Sequence, residues 1–163
     1  MMNFYNKIKQ NLLGFRRLSW SERWLFLQAF LMLPVVSLKL DLFGFNSIYN
    51  FMIRHSSKHF EGITEPVRNN NNQMDKIRNT VNIVEKAVWR NIYPTNCLPR
   101  SMTLWWILRR QGVLTDLCMG VRKQKDMLEA HAWVEYRGEP INDSHNVQKD
   151  FVNIEIRNLS KKR

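Results

Sequence analysis

Cys97-Leu98-Pro99-Arg100-Ser101-Met102-Thr103-Leu104-Trp105-Trp106-Ile107-Leu108-Arg109-Arg110-Gln111-Gly112 precedes Ala130-His131-Ala132-Trp133-Val134-Glu135-Tyr136 and then Gly138-Glu139-Pro140-Ile141-Asn142-Asp143. In the first stretch apolar residues cover most of the circumference of a helix. Pro99 falls in the first turn, where its missing N–H costs nothing, and two arginines stand at the negative end before a terminal glycine. This predicts a buried central helix starting about Cys97 and ending at Gly112. Beyond Gly112 the helical period gives way to short β-type runs, Leu117 to Val121 and Ala130 to Tyr136, with a charged turn from Arg122 to Asp126 between them. A turn at Gly138-Glu139-Pro140, a third short strand through Ile141 and Asn142, and an edge strand within Phe151 to Ile156 complete the expectation. The fold class is α+β: a central cysteine-bearing helix against a small antiparallel sheet.

Working toward the N-terminus, Ile77, Val81, Val84, Ala87, Val88 and Ile92 recur at helical spacing and predict an amphipathic helix that Tyr93-Pro94 stops. The polar run Arg68 to Gln73, with four consecutive asparagines, reads as a break and sets a boundary between a helical N-terminal region, 1–67, and a second domain, 74–163. Within the first region, Ser19-Trp20-Ser21-Glu22 carries a helix-start pattern, and the helix is expected to reach about Leu33. Pro34 should kink or break it, with Val35 to Phe45 continuing as a second apolar piece ending at Gly44. The pair is read as packed on the core, in preference to a surface lying on a membrane or another protein. The uninterrupted apolar part, Trp24 to Leu38, falls short of the ~20 residues a membrane span needs, and no small-residue cleavage site follows it.

The 25 Lys and Arg against 14 Asp and Glu give a formal charge of +11, which favours anionic partners without choosing among them. The excess is spread along the chain, and no basic arm, zinc-finger spacing or dinucleotide-binding spacing appears, so no nucleic-acid partner is expected. With only two cysteines, Cys97 and Cys118, in unlike contexts, a reduced cytoplasmic setting fits best. The terminal Ser160-Lys161-Lys162-Arg163 reads as a frayed basic tail.

Three residues carry the chemistry. A cysteine in the first turn of a helix faces roughly half a positive charge from unpaired N–H groups, which favours thiolate over thiol and makes Cys97 the candidate nucleophile. Cys118, mid-strand among apolar neighbours, reads as a core residue. His131 lies inside a strand, where an imidazole without a partner is costly to bury. Asp143, twelve residues on and past the Gly138 turn, can stand beside it on the neighbouring strand. The carboxylate would fix the tautomer of His131 and leave its other nitrogen to take the thiol proton. His145 competes with His131 but has no strand context. His55 and His59 form an i, i+4 pair without a third ligand, so neither a metal nor a cofactor is expected.

The segments from Cys97-Leu98-Pro99-Arg100-Ser101 through Ala130-His131-Ala132-Trp133-Val134-Glu135 to Asp143 resemble the transglutaminase-like papain fold and, more closely, the lasso-peptide biosynthesis B2 proteins. The likeness spans about Val81 to Phe151 and extends to the helical front from Ser21. It implies a cysteine peptidase that removes the leader of a ribosomally made precursor peptide. Cys97 would attack the amide, His131 act as base and then acid, and Asp143 orient His131, with Arg100 and Trp133 in support. It implies as partners the precursor, a separate leader-binding recognition protein and a lasso cyclase; membrane-surface contact is the weaker reading. The residues themselves support only thiol-based acyl transfer, so a transglutaminase- or amidase-like acyltransferase, or a non-catalytic scaffold of a biosynthetic complex, stands as the alternative. Beyond the Cys97 N–H, no second oxyanion donor can be read from the sequence.

Overall fold

The computed structural model describes residues 19–56, 70–91, 95–124, 127–154 and 156. The basic N-terminus, His59, Tyr93-Pro94, Asp126 and the C-terminal tail lie outside these described residues. Helices α1 (Trp20–Ser56), α2 (Asn70–Arg90) and α3 (Cys97–Arg110) precede strands β1 (Asp116–Gln124), β2 (Met127–Tyr136) and β3 (Glu139–Pro140), the short helix α4 (Val147–Asp150) and strand β4 (Val152–Asn153). The sheet is antiparallel with order β3-β2-β1-β4. This is the expected α+β arrangement, with the cysteine-bearing helix against a small antiparallel sheet.

Helix α1 opens with a reciprocal cap. Glu22 N–H donates to Ser19 Oγ at 3.3 Å, and Ser19 N–H donates back to Glu22 Oε2 at 2.8 Å. These contacts hold the Glu22 carboxyl below its ordinary range. At Pro34, where a kink or break is expected, the helix runs on unbroken; its backbone is interrupted at Gly44, φ 71°, where the second apolar piece is expected to end. The reason is local. A proline removes the N–H owed to the carbonyl four residues back, here Phe30, and Asn91 Nδ2 donates to that carbonyl at 3.1 Å. By length and composition α1 is therefore long enough to cross a membrane, contrary to the sequence reading, while Phe26, Ala29, Leu33, Val36, Ile48 and Met52 turn one side of it into the core.

Further element boundaries shift. Helix α2 already begins at Asn70, inside the polar run, because a first helical turn needs no apolar residue; Arg68 and Asn69 lie outside the described residues. The charged stretch read as a turn from Arg122 is strand up to Gln124, which faces Met127 in a tight hairpin, with Arg122 Nε paired to Glu129 Oε2 across the ladder at 2.7 Å. At the Gly138 turn, Arg137 and Gly138 both have positive φ, 54° and 81°, as a two-residue hairpin requires. The third strand is Glu139–Pro140 and stops short of Ile141 and Asn142, because the Asn142 side chain takes over the ladder: its Oδ1 accepts from Val134 N–H at 2.7 Å. The expected edge strand is confined to Val152–Asn153.

The sheet has two buried faces. Leu117 and Val134 face the helices, within a core that includes Ile83, Val84, Leu104 and Leu108. Cys118, Trp133, Val147 and Phe151 form a smaller apolar cluster of their own on the other face. Alternation along β2 puts His131 on the side of Trp133.

Candidate functional site

Cys97 is the first residue of α3, half-buried and free of any disulfide. Asn96 caps the helix by backbone only, its carbonyl accepting from Arg100 N–H at 3.3 Å, with no side-chain cap bond. Pro99 has no N–H to offer, so Cys97 and Leu98 supply the first amides of the helix.

Two bonds fix how α3 runs along β2. Trp105 Nε1 donates to the Thr115 carbonyl at 3.0 Å, next to Asp116, the partner of Glu135. Ser101 Oγ donates to the Ala132 carbonyl at 2.9 Å. Going back along the helix from Trp105 to Ser101 therefore follows β2 from its Glu135 end to Ala132. One more turn, about 5.4 Å, carries Cys97 to the level of Ala130 and His131.

His131 and Asp143 are brought into direct contact: Nε2 of the imidazole donates to Oδ2 of the carboxylate at 2.7 Å. The side chains are 23% and 25% exposed, sheltered yet reachable. Asp143 Oδ1 accepts from Ser144 N–H at 2.8 Å, which sets the carboxylate plane. With Nε2 engaged, Nδ1 is the nitrogen left for a thiol proton. Cys97 and His131 are not hydrogen-bonded to each other.

The imidazole is packed from one side. Phe151 stacks on it with centroids 5.1 Å apart, and Trp133 lies at 6.3 Å. Trp133 is fully buried, and its Nε1 donates to Glu135 Oε1 at 2.6 Å, so it buttresses His131 and cannot touch a substrate. Gly120, opposite His131 in β1, leaves room for this stack: a Cβ there would lie 2.7 Å from Phe151 Cβ and 3.0 Å from Trp133 Cη2.

Arg100 joins three elements. Its Nε pairs with Glu85 Oε1 of α2 at 2.6 Å and its Nη2 donates to the Asn142 carbonyl at 3.1 Å, one residue before Asp143. Asn142 Nδ2 also donates to Ser101 Oγ at 3.1 Å. The sequence alone gives Ser101, Asn142, Glu85, Phe151 and Gly120 no role at the site. Ser101 was recoverable as the residue one turn beyond Cys97, and Asn142 as the neighbour of Asp143; nothing local marks the other three. His145 is exposed and points to Glu139, its Nδ1 3.5 Å from Oε2. His55 Nδ1 donates to the Phe51 carbonyl within its own helix, at 2.8 Å. The second cysteine, Cys118, is buried, and burial followed by the nearby Glu135 pushes its thiol up to about 12.

The structure holds a thiol at a helix start and an imidazole bonded to a carboxylate, the types of group that thiol-based acyl transfer uses. No solved structure matches the chain. The Escherichia coli microcin J25-processing protein McjB is 32% identical over 77 residues, covering 47% of this chain and 36% of that protein. This chain thus matches little more than a third of its relative's length, and the match supports the likeness to lasso-peptide B2 proteins. The profile of the transglutaminase-like superfamily matches residues 52–155, well over half of the sequence and all of the site described above. The chain belongs to the transglutaminase-like superfamily.

Proposed function

We propose that this chain is a cysteine peptidase that removes the leader from a ribosomally made precursor during lasso-peptide maturation. The observation that carries the reading is the His131–Asp143 pair, at 2.7 Å, on the stretch of β2 alongside which the Cys97 helix begins. Likeness to a protein named for microcin J25 processing supplies the substrate class. In the cycle, His131 Nδ1 takes the Cys97 proton and the thiolate adds to the scissile carbonyl. The Cys97 N–H donates to the developing oxyanion, and His131, still oriented by Asp143, returns its proton to the leaving amine. Water, activated by the same imidazole, then hydrolyses the thioester. The precursor and a separate leader-binding protein are the partners of this reading, in the cytoplasm.

Superfamily membership favours a second reading, in which an amine instead of water reaches the thioester and the product is a transferred acyl group. Both are tested by mass spectrometry of the candidate precursor incubated with this protein and its leader-binding partner. Cleavage should vanish in folded Cys97→Ala and His131→Ala and weaken in Asp143→Ala. A product mass matching amine capture would establish transfer, and unchanged cleavage by Cys97→Ala would overturn the nucleophile.

A further inference from the structure

In an antiparallel strand the N–H and C=O of one residue point to the same edge, and successive residues alternate between edges. On β2 the edge turned away from β1 belongs to Leu128, Ala130, Ala132, Val134 and Tyr136. Tyr136 faces Glu139 of β3. Val134 is filled on both sides, its carbonyl accepting from Ile141 N–H at 2.9 Å and its N–H donating to Asn142 Oδ1. The Ala132 carbonyl is taken by Ser101. There the filling stops. The Ala132 N–H and both backbone groups of Ala130 and Leu128 have no partner among the described residues; Ala130 and Leu128 are exposed, while Ala132 is buried at the closed end of the row. An unpaired row of this kind is a template for an added strand.

Two features select the occupant. The free row ends against the start of α3, where Ser101 and Asn142 fill the edge and Cys97 lies one turn ahead of Ser101, so whatever pairs with the row leads to the thiol. The row is also short. From Leu128 to Ala132 it spans about 13 Å and is closed at one end by a helix, which leaves room for a single extended chain but sets a folded second copy against α3.

We infer that the polypeptide segment flanking the scissile amide adds to β2 as an extra strand opposite Leu128 to Ala132, so that backbone pairing delivers the amide to Cys97. The inference rests on the acyl-transfer reading of Cys97 and names how that site holds its substrate. Recognition through the main chain tolerates varied side chains and rejects a missing N–H at every second residue.

The test follows alkylation of Cys97 by intact-protein mass spectrometry with two alanine-tetrapeptide electrophiles. One is a chloromethyl ketone, with the peptide before the reactive carbon; the other is a chloroacetyl peptide amide, with the peptide after it. Each is compared with its singly N-methylated analogues, and iodoacetamide serves as the small reference. Alkylation by one of the two probes should slow about tenfold when alternate residues are N-methylated and change little when the intervening ones are. Absence of that alternation in both probes, with iodoacetamide still labelling Cys97, overturns strand addition alone. Failure of iodoacetamide to label Cys97 in the folded protein overturns the acyl-transfer reading beneath it. A dimer at micromolar concentration that neither peptide dissociates assigns the edge to a second copy and also overturns the inference.

Discussion

Ser101 Oγ accepts from Asn142 Nδ2 at 3.1 Å while donating to the Ala132 carbonyl at 2.9 Å, so one buried hydroxyl joins the Cys97 helix to both His131 and Asp143 through their chain neighbours. Ser101→Ala leaves a carbonyl and an amide without partners in a dry site and should cost about 2–3 kcal/mol in urea unfolding. Activity per folded molecule should fall as well, chiefly in kcat, because the loss loosens the spacing between thiol and imidazole. A kcat equal to wild type would show that Ser101 serves folding only.

The two cysteines should behave oppositely toward alkylating reagents. With its thiol pushed up to about 12, Cys118 is almost wholly protonated at pH 8, and iodoacetamide followed by peptide mapping should find the label on Cys97. The same shift sets a stability slope. The folded thiol holds its proton through a range in which the unfolded one, with an ordinary value of 9.0, releases it, so the folded state is favoured below pH 9 and this contribution is lost between pH 9 and about 12. Chemical unfolding across that range should show a shallower decline in Cys118→Ala than in wild type.

Gly120→Ala tests the packing behind the imidazole. The added methyl meets Phe151 Cβ at 2.7 Å and the Val152 carbonyl at 3.1 Å, and neither is the loose end of a flexible side chain. A stability loss of about 1–3 kcal/mol is expected from overpacking. Precursor cleavage should drop with it, since Phe151, which the methyl displaces, is the ring stacked on His131. Thermal melting and the cleavage assay on the same preparation separate the two effects.

Pro34 and Asn91 form a pair that a double-mutant cycle can resolve. Asn91→Ala removes the donor to the Phe30 carbonyl and should cost about 1 kcal/mol. In a Pro34→Ala background the helix regains its own N–H for that carbonyl, and the same Asn91 substitution should cost less. Equal costs in both backgrounds would show that Asn91 acts through its other contacts.

The parts of the molecule legible in sequence are those whose signals are local. Pro99 in a first turn and the arginines before Gly112 bounded the cysteine helix, which runs Cys97–Arg110, and Gly138 placed the hairpin that returns the chain toward His131. His131 and Asp143 were readable as a pair because one strand spacing and one turn separate them, and they meet at 2.7 Å. What escaped reading depends on side chains far apart in sequence. Pro34 reads as a kink or break because its rescue comes from Asn91, and the third strand reads through Asn142 because an amide side chain replacing a strand partner has no sequence pattern. Glu85 and Phe151 reach the site only through the packing of α2 and of the segment after α4.

The contact between Asn91 and Phe30 also bears on how such a helix could arise. With an ordinary residue at position 34, the bond from Asn91 to the Phe30 carbonyl is nearly neutral, since that carbonyl is already served. A proline acquired first would have left that carbonyl stranded until a donor appeared. Asparagine first and proline second is the path without a weakened ancestor, and once the proline is present the asparagine is no longer free to drift.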